Sequence, residues 1–374
     1  MTGTATGATF AVVTGGGTSG HVLPALAVAD ALVAAGHDSS EIRYVGAERG
    51  VETRLLPETP YPHEFLDVVG AQRRLTAANL GFVPKMVRST RVATRLLRAW
   101  APRVVVSVGG YASMPSVFAA RRLGIPVVVV SYDRTPGRAS RLAARKAAAC
   151  AVAFDQSPLP RAELTGAPVR QAVLDVDRSN EERRAAARRL LGLEPERFVV
   201  AVMGGSLGSG VLNEAIAIYL DDHRDDGRLA VRQIAGERFS AGIEQVTGQV
   251  QHQIVAYEQD MAAVYTACDL VIGRGGASTV HEIAVTGTPA ILVPWAAAAD
   301  DHQSDNVTWL SEVGGAVLLR EDAIDQLGAT IDALRSDAER RSALAAAASR
   351  RGQVHRSGAL AGLIERVALT STPS

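Results

Sequence analysis

Apolar residues come in short blocks along the chain, and the blocks alternate in kind. Phe10–Thr14 is a continuous apolar run of strand length, which suits a strand buried on both faces. Val22–Ala35 follows and reads as a helix that Gly36 ends. Ile42–Val45, Val104–Val108, Val127–Val130 and Ala151–Phe154 read as further strands, Pro84–Trp100 and Met114–Leu123 as helices. Strands joined through helices imply a parallel sheet covered on both faces. Pro158, Pro160 and Pro168 break the rhythm, so Asp155–Arg170 is the expected linker. The pattern then restarts with a strand at Phe198–Met203 and a helix from Val211 to Asp222. Strands at Asp269–Ile272 and Ala290–Val293 flank a helix at Thr279–Thr286. The expected fold is α/β, with two Rossmann-like domains facing each other across a cleft. Their expected bounds are 1–165 and 166–374, and the last helix is free to pack back on the first domain.

Composition agrees with this and narrows the setting. A chain of 374 residues exceeds one ordinary core and suits two domains. It is 47% hydrophobic but only 5% aromatic, as in a soluble α/β protein. Cys150 and Cys268 lie far apart in apolar surroundings and read as reduced core residues. No basic region precedes an apolar core at the N-terminus, so no signal peptide is expected. No apolar run reaches the ~18 residues of a membrane helix. Net charge is zero, yet Lys and Arg outnumber Asp and Glu 20 to 11 up to residue 170 and are outnumbered 28 to 19 after it. A basic half joined to an acidic half suggests different neighbours, and nucleic acid or anionic membrane are the candidates for the basic one.

Three glycine-rich stretches stand at strand–helix junctions: Gly15–His21, Gly204–Gly210 and Gly273–Gly276. Glycine lets backbone approach a ligand, and a helix N-terminus offers unpaired N–H groups to phosphate. Neither of the first two is a clean dinucleotide fingerprint, and neither is a P-loop. In the third, Ala277, Ser278 and Thr279 open a helix whose N–H groups suit a diphosphate. Glu282 has capping-box spacing from Thr279, and it also suits a carboxylate that accepts hydrogen bonds from two ribose hydroxyls. Asp300-Asp301-His302-Gln303 follows the next strand, where a sugar's hydroxyls can be read.

The stretches "GGGTSGHVLPALAVADAL", "VVSVGGYASMPSVFAARRLGIPVVV", "TGAPVR", "GGSLGSGVLNEA" and "DMAAVYTACDLVIGRGGASTVHEIAVTGTPAILVPWAAAADDHQSDN" together resemble the MurG family of glycosyltransferases. They occur in the family's order over roughly residues 10–315. The resemblance implies a GT-B fold that binds UDP-GlcNAc in the C-terminal half and the lipid-linked acceptor, lipid I, in the N-terminal half. It implies inverting β-1,4 transfer of GlcNAc to the muramoyl sugar, giving lipid II in peptidoglycan synthesis. Thr18, Ser19 and Gly20 match first-loop ligand contacts, and His21 stands at the family's candidate general base. Ser206, the segment Ala277, Ser278, Thr279, Val280 and His281, and also Glu282 and Gln303, match the donor side, with Arg170 reaching it from the linker. Gly109, Gly110 and Tyr111 match the acceptor side. Two departures are visible: Ser19 replaces a family glycine, and Asp133 stands where a donor-contacting Asn is usual. Asp133 keeps an acceptor oxygen but loses the amide donor and adds negative charge near an anionic sugar nucleotide.

His21 has an ordinary pKa suited to removing a proton from the acceptor hydroxyl. Helix N-termini are expected to stabilise the departing diphosphate, so no cofactor and no metal are implied. Asp175-x-Asp177 fits a solvated turn better than an ion site. The segment from Ala71 to Trp100 carries Arg73, Arg74, Lys85, Arg88, Arg91, Arg95 and Arg98 without an acid. Leu75, Leu80, Phe82, Val83 and Met86 are interleaved with these, which suits peripheral docking on anionic lipid, and the resemblance implies the cytoplasmic side of a cell membrane. Nucleic acid is not an expected partner. Another GT-B UDP-sugar transferase, a UDP-GlcNAc 2-epimerase and a non-catalytic UDP-sugar- or lipid-binding paralogue are the alternatives.

Overall fold

The apolar blocks become strands of two separate, wholly parallel sheets in the computed structural model, which describes residues 8–17, 19–68, 82–205, 208–296 and 302–370. The first sheet contains β1 (Ala11–Thr14), β2 (Ile42–Ala47), β3 (His63–Leu66), β4 (Val104–Ser107), β5 (Val127–Ser131), β6 (Ala149–Val152) and β7 (Ala162–Leu164). Its spatial order is β3-β2-β1-β4-β5-β6-β7. Helices α1 (Ser19–Ala34), α2 (Glu52–Leu55), α3 (Phe82–Trp100), α4 (Met114–Leu123) and α5 (Arg138–Ala144) lie between its strands. The short α6 (Gln171–Leu174) and α7 (Glu181–Leu190) lead to the second sheet.

That sheet contains β8 (Phe198–Met203), β9 (Leu229–Ile234), β10 (Gln251–Val255), β11 (Leu270–Gly273), β12 (Ala290–Leu292) and β13 (Val317–Leu318), in the order β10-β9-β8-β11-β12-β13. Its helices are α8 (Gly210–Asp222), α9 (Met261–Ala267), α10 (Ala277–Thr286), α11 (His302–Ser311), α12 (Leu327–Ser336) and α13 (Ala338–Gly352). The last helix among the described residues is α14 (Ala359–Leu369). One compact unit holds the residues up to Gln171 together with those from Ser357 onward; the other is Ala172–Arg356. The last helix therefore belongs with the first sheet, where it packs on α1, β4 and β6.

Every residue of β1, β4, β5 and β6 is buried. Strands covered on both faces need apolar side chains at every position, which is why they stand out in the sequence. Cys150 and Cys268 are free and buried, and burial pushes both thiols up to about 11. Both sheets reverse direction of growth at their centre, between β1 and β4 and between β8 and β11. Such a reversal leaves a crevice at the carboxyl ends of the two strands, where doubly wound sheets bind ligands.

The expected linker is a linker only in part, because Ala162–Leu164 forms β7 and pairs with β6. The strand expected at Ala151–Phe154 runs instead from Ala149 to Val152. The helix expected from Val22 starts at Ser19, so Gly20 and His21 lie in its first turn.

Candidate active site

In the first unit, the site forms where β1 and β4 end. His21 projects from the first turn of α1 and lies against Gly109 and Gly110, which follow β4. Gly110 has φ +75°, and a Cβ there would lie 2.6 Å from the Gly16 carbonyl and 3.2 Å from His21 Cδ2. Only glycine satisfies both limits. Tyr132, one residue past β5, is buried; its hydroxyl donates to the Gly20 carbonyl and lies 2.8 Å from His21 Nδ1. Burial pulls the His21 pKa below its ordinary value, and the Asp133 and Glu52 carboxylates pull it back in part. Asp133 thus lies close enough to act on His21.

Glu52 opens α2 and is fully buried. Its Oε1 accepts N–H bonds from Gly17 at 3.0 Å and Ala47 at 3.1 Å. It ties the glycine loop to the end of β2. Neither Glu52 nor Tyr132 stands out in the sequence. A glutamate in "GVETR" carries no pattern that marks it as buried, and Tyr132 stands in "VVSYDRT" beside the more conspicuous Asp133. Thr18 lies outside the described residues, and Ser19 is described only as the start of α1. Tyr111 is half-buried in the turn that follows Gly110. Arg170 acts electrostatically on Asp30 of α1, whose carboxyl is raised by burial and also accepts from Tyr61.

In the second unit, β11 ends at Gly273 and α10 begins at Ala277 with Gly276 as its N-cap. No side chain caps this helix and its first turn has no acid, so the N–H groups of Ala277, Ser278 and Thr279 form a positive helix end suited to an anion. A Cβ on Gly275 would lie 2.7 Å from both the Gln303 carbonyl and Val307 Cγ2, so glycine is needed for α11 to pack there. The capping-box reading of Glu282 does not hold: with Gly276 as N-cap, Glu282 stands too far along the helix. Its Oε2 instead accepts from Tyr265 at 2.9 Å.

Val280 and His281 are buried, and His281 Nδ1 meets His355 Nε2 at 3.1 Å. Any ligand contact by these two residues therefore falls to their main chain. Gln303 Oε1 accepts from the Trp295 N–H at 2.9 Å, which makes the NH2 end of its amide the donor. The chain after β12 is held by Glu321, which pairs with buried Arg274 at 2.8 Å and accepts from the Ala296 N–H at 2.7 Å. Ser209 caps α8 by accepting from Leu212. Ser206, Asp300 and Asp301 lie outside the described residues. Asp177 accepts from the Ser179 N–H and hydroxyl, the pattern of a solvated turn.

On α3, Arg88, Arg91, Arg95 and Arg98 are exposed. Lys85 is 3.1 Å from Asp67, and Met86 packs against the core. The basic face is therefore present, but these two residues have partners within the unit. For Phe82 and Val83 only the helical backbone is described, and Arg73, Arg74, Leu75 and Leu80 lie outside the described residues. No helix among the described residues is long and apolar enough to cross a membrane.

Residues 11–152 match the glycosyltransferase family 28 N-terminal domain, and residues 199–358 match the C-terminal domain of the same family. A Nocardioides protein is 39% identical over 345 residues, covering 90% of this chain and 92% of its own. One from Desulforudis audaxviator is 33% identical, covering 96% and 98%. Both are named UDP-N-acetylglucosamine–N-acetylmuramyl-(pentapeptide) pyrophosphoryl-undecaprenol N-acetylglucosamine transferases. The crystal structure of Acinetobacter baumannii MurG superposes with TM-score 0.66 at 25% identity, covering 96% of this chain and 98% of that one.

Proposed function

The chain belongs to the MurG family of GT-B glycosyltransferases, and from that premise we infer that it transfers GlcNAc from UDP-GlcNAc to the muramoyl sugar of lipid I, forming lipid II. The reaction inverts the anomeric centre. The acceptor hydroxyl loses its proton and attacks C1 of GlcNAc; the new O–C1 bond forms as the bond from C1 to the diphosphate oxygen breaks.

The observation that carries the assignment of roles is the setting of His21. It stands at the carboxyl end of β1, against Gly109 and Gly110 on the acceptor side, with a pKa lowered by burial. A neutral imidazole at pH 7 is the form that accepts the acceptor's proton. The uncapped start of α10 takes the departing UDP, since N–H groups already aligned there cost no reorganisation when charge develops. Glu282 holds the ribose and Gln303 the sugar hydroxyls. Thr18, Ser19, Gly20 and Asp133 border the transferred sugar, and Ser206 and Arg170 complete the donor contacts. The exposed arginines of α3 rest on anionic lipid at the cytoplasmic face of the membrane, where lipid I is presented.

The test is transfer from labelled UDP-GlcNAc to a lipid I analogue, with products separated by chromatography. Label in lipid II is expected. Conversion to the 2-epimer of the free sugar nucleotide would mark an epimerase. UDP-GlcNAc binding with neither product would mark a non-catalytic paralogue.

A further inference from the structure

Tyr132 lies at the end of β5, two strands away from β1, yet its hydroxyl reaches the first turn of α1. Among the polar atoms that meet that hydroxyl are the Gly20 carbonyl oxygen and His21 Nδ1. A carbonyl only accepts, so the single phenolic hydrogen is committed to Gly20. The phenolic oxygen is then left to accept, and the atom 2.8 Å away at Nδ1 must be the donor. Which imidazole nitrogen carries the proton is set by the bond the other one makes. The residue is buried, so water does not readily replace it.

We propose that Tyr132 is a positioning residue for the transfer reaction: through the Gly20 carbonyl it fixes the His21 imidazole with hydrogen on Nδ1 and the lone pair on Nε2. Neutral imidazole without such a partner favours the opposite tautomer, which would leave no base at Nε2. Tyr132 also orients the ring, which lies against Gly109 and Gly110. The catalytic consequence rests on the reading of His21 as general base; the tautomer itself does not.

The experiment uses the full chain labelled with 15N-histidine, with the His21 resonances assigned by their loss in His21→Gln. In wild type at neutral pH the proton is expected on Nδ1. In Tyr132→Phe, which keeps the ring, it is expected to shift toward Nε2. Lipid II formation by Tyr132→Phe should show kcat lowered by about 10–100-fold, part of the ~10²–10⁴-fold that a positioned base contributes, with the UDP-GlcNAc KM within about twofold of wild type. A proton found on Nε2 in wild type overturns the proposal even if the variant does not fold. An unchanged tautomer or unchanged kcat in folded Tyr132→Phe overturns it as well. If His21→Gln transfers sugar normally, the general-base reading fails and the catalytic role of Tyr132 with it; the wild-type tautomer is a separate result.

Discussion

His21 titrates under opposed influences. Burial disfavours the imidazolium, and the carboxylates of Asp133 and Glu52 favour it; burial is the larger, so the pKa falls. The base works deprotonated, so kcat should hold steady at neutral pH and decline only below the ordinary histidine value of about 6.5. Asp133→Asn removes one of the carboxylates and should move that acid limb to still lower pH, as a pH profile at saturating substrates would record. The same change restores the amide usual in the family, so transfer at pH 7 should be retained or improved. An acid limb that stays in place would show that Asp133 does not act on the base. Glu282→Ala should weaken UDP binding by about 1–3 kcal/mol, the scale of lost hydrogen bonds to a charged group. Calorimetry on the folded variant checks it, and unchanged affinity would remove Glu282 from the site. At this scale the sequence disclosed His21 and the start of α10, because glycine beside a strand end is visible in one dimension. It hid Tyr132 and Glu52, whose partners are remote in sequence: 111 residues separate Tyr132 from His21, and 35 separate Glu52 from Gly17.

Among the elements, the central strands were legible and the polar ones were not. β9 carries Arg232 and Gln233 in its interior, and both are satisfied by neighbours: Arg232 pairs with Glu258 at 2.7 Å, and Gln233 bonds buried Asn213 and His252. A strand whose polar groups are paired in the folded state shows no apolar run to read. β7 is exposed along its length and sits among prolines, so edge strand and linker look alike from sequence. On α3 the two faces separate cleanly: Ala93 and Leu97 are buried while Arg88, Arg91 and Arg95 are exposed. Arg88, Arg91 and Arg95 changed together to Gln should weaken binding to anionic vesicles by on the order of 100-fold, from ~1 kcal/mol per charge at the surface. UDP affinity should not change. Co-sedimentation equal to wild type would make this a solvated face and nothing more.

For the whole molecule, order in sequence and order in space part company at the C-terminus. α14 buries Leu360, Leu363, Ile364 and Val367 in the first unit. Four such side chains contribute on the order of 5–10 kcal/mol, comparable to the whole stability of a domain. Truncation after Arg356 should therefore unfold the first unit and leave Ala172–Arg356 folded. Hydrogen exchange would show protection lost in β1 and β4 and kept in β8 and β11; uniform protection would refute it. The same helix sets a clock for biosynthesis. The strands of the first sheet have all been translated by residue 164, but the helix that covers them begins at residue 359. At ~5–20 residues per second the ribosome needs roughly 10–40 s to add the intervening stretch. The second unit, although it emerges later, completes its own residues first. The first unit must wait with an uncovered apolar face, so chaperone contact during synthesis falls on the half that starts the chain.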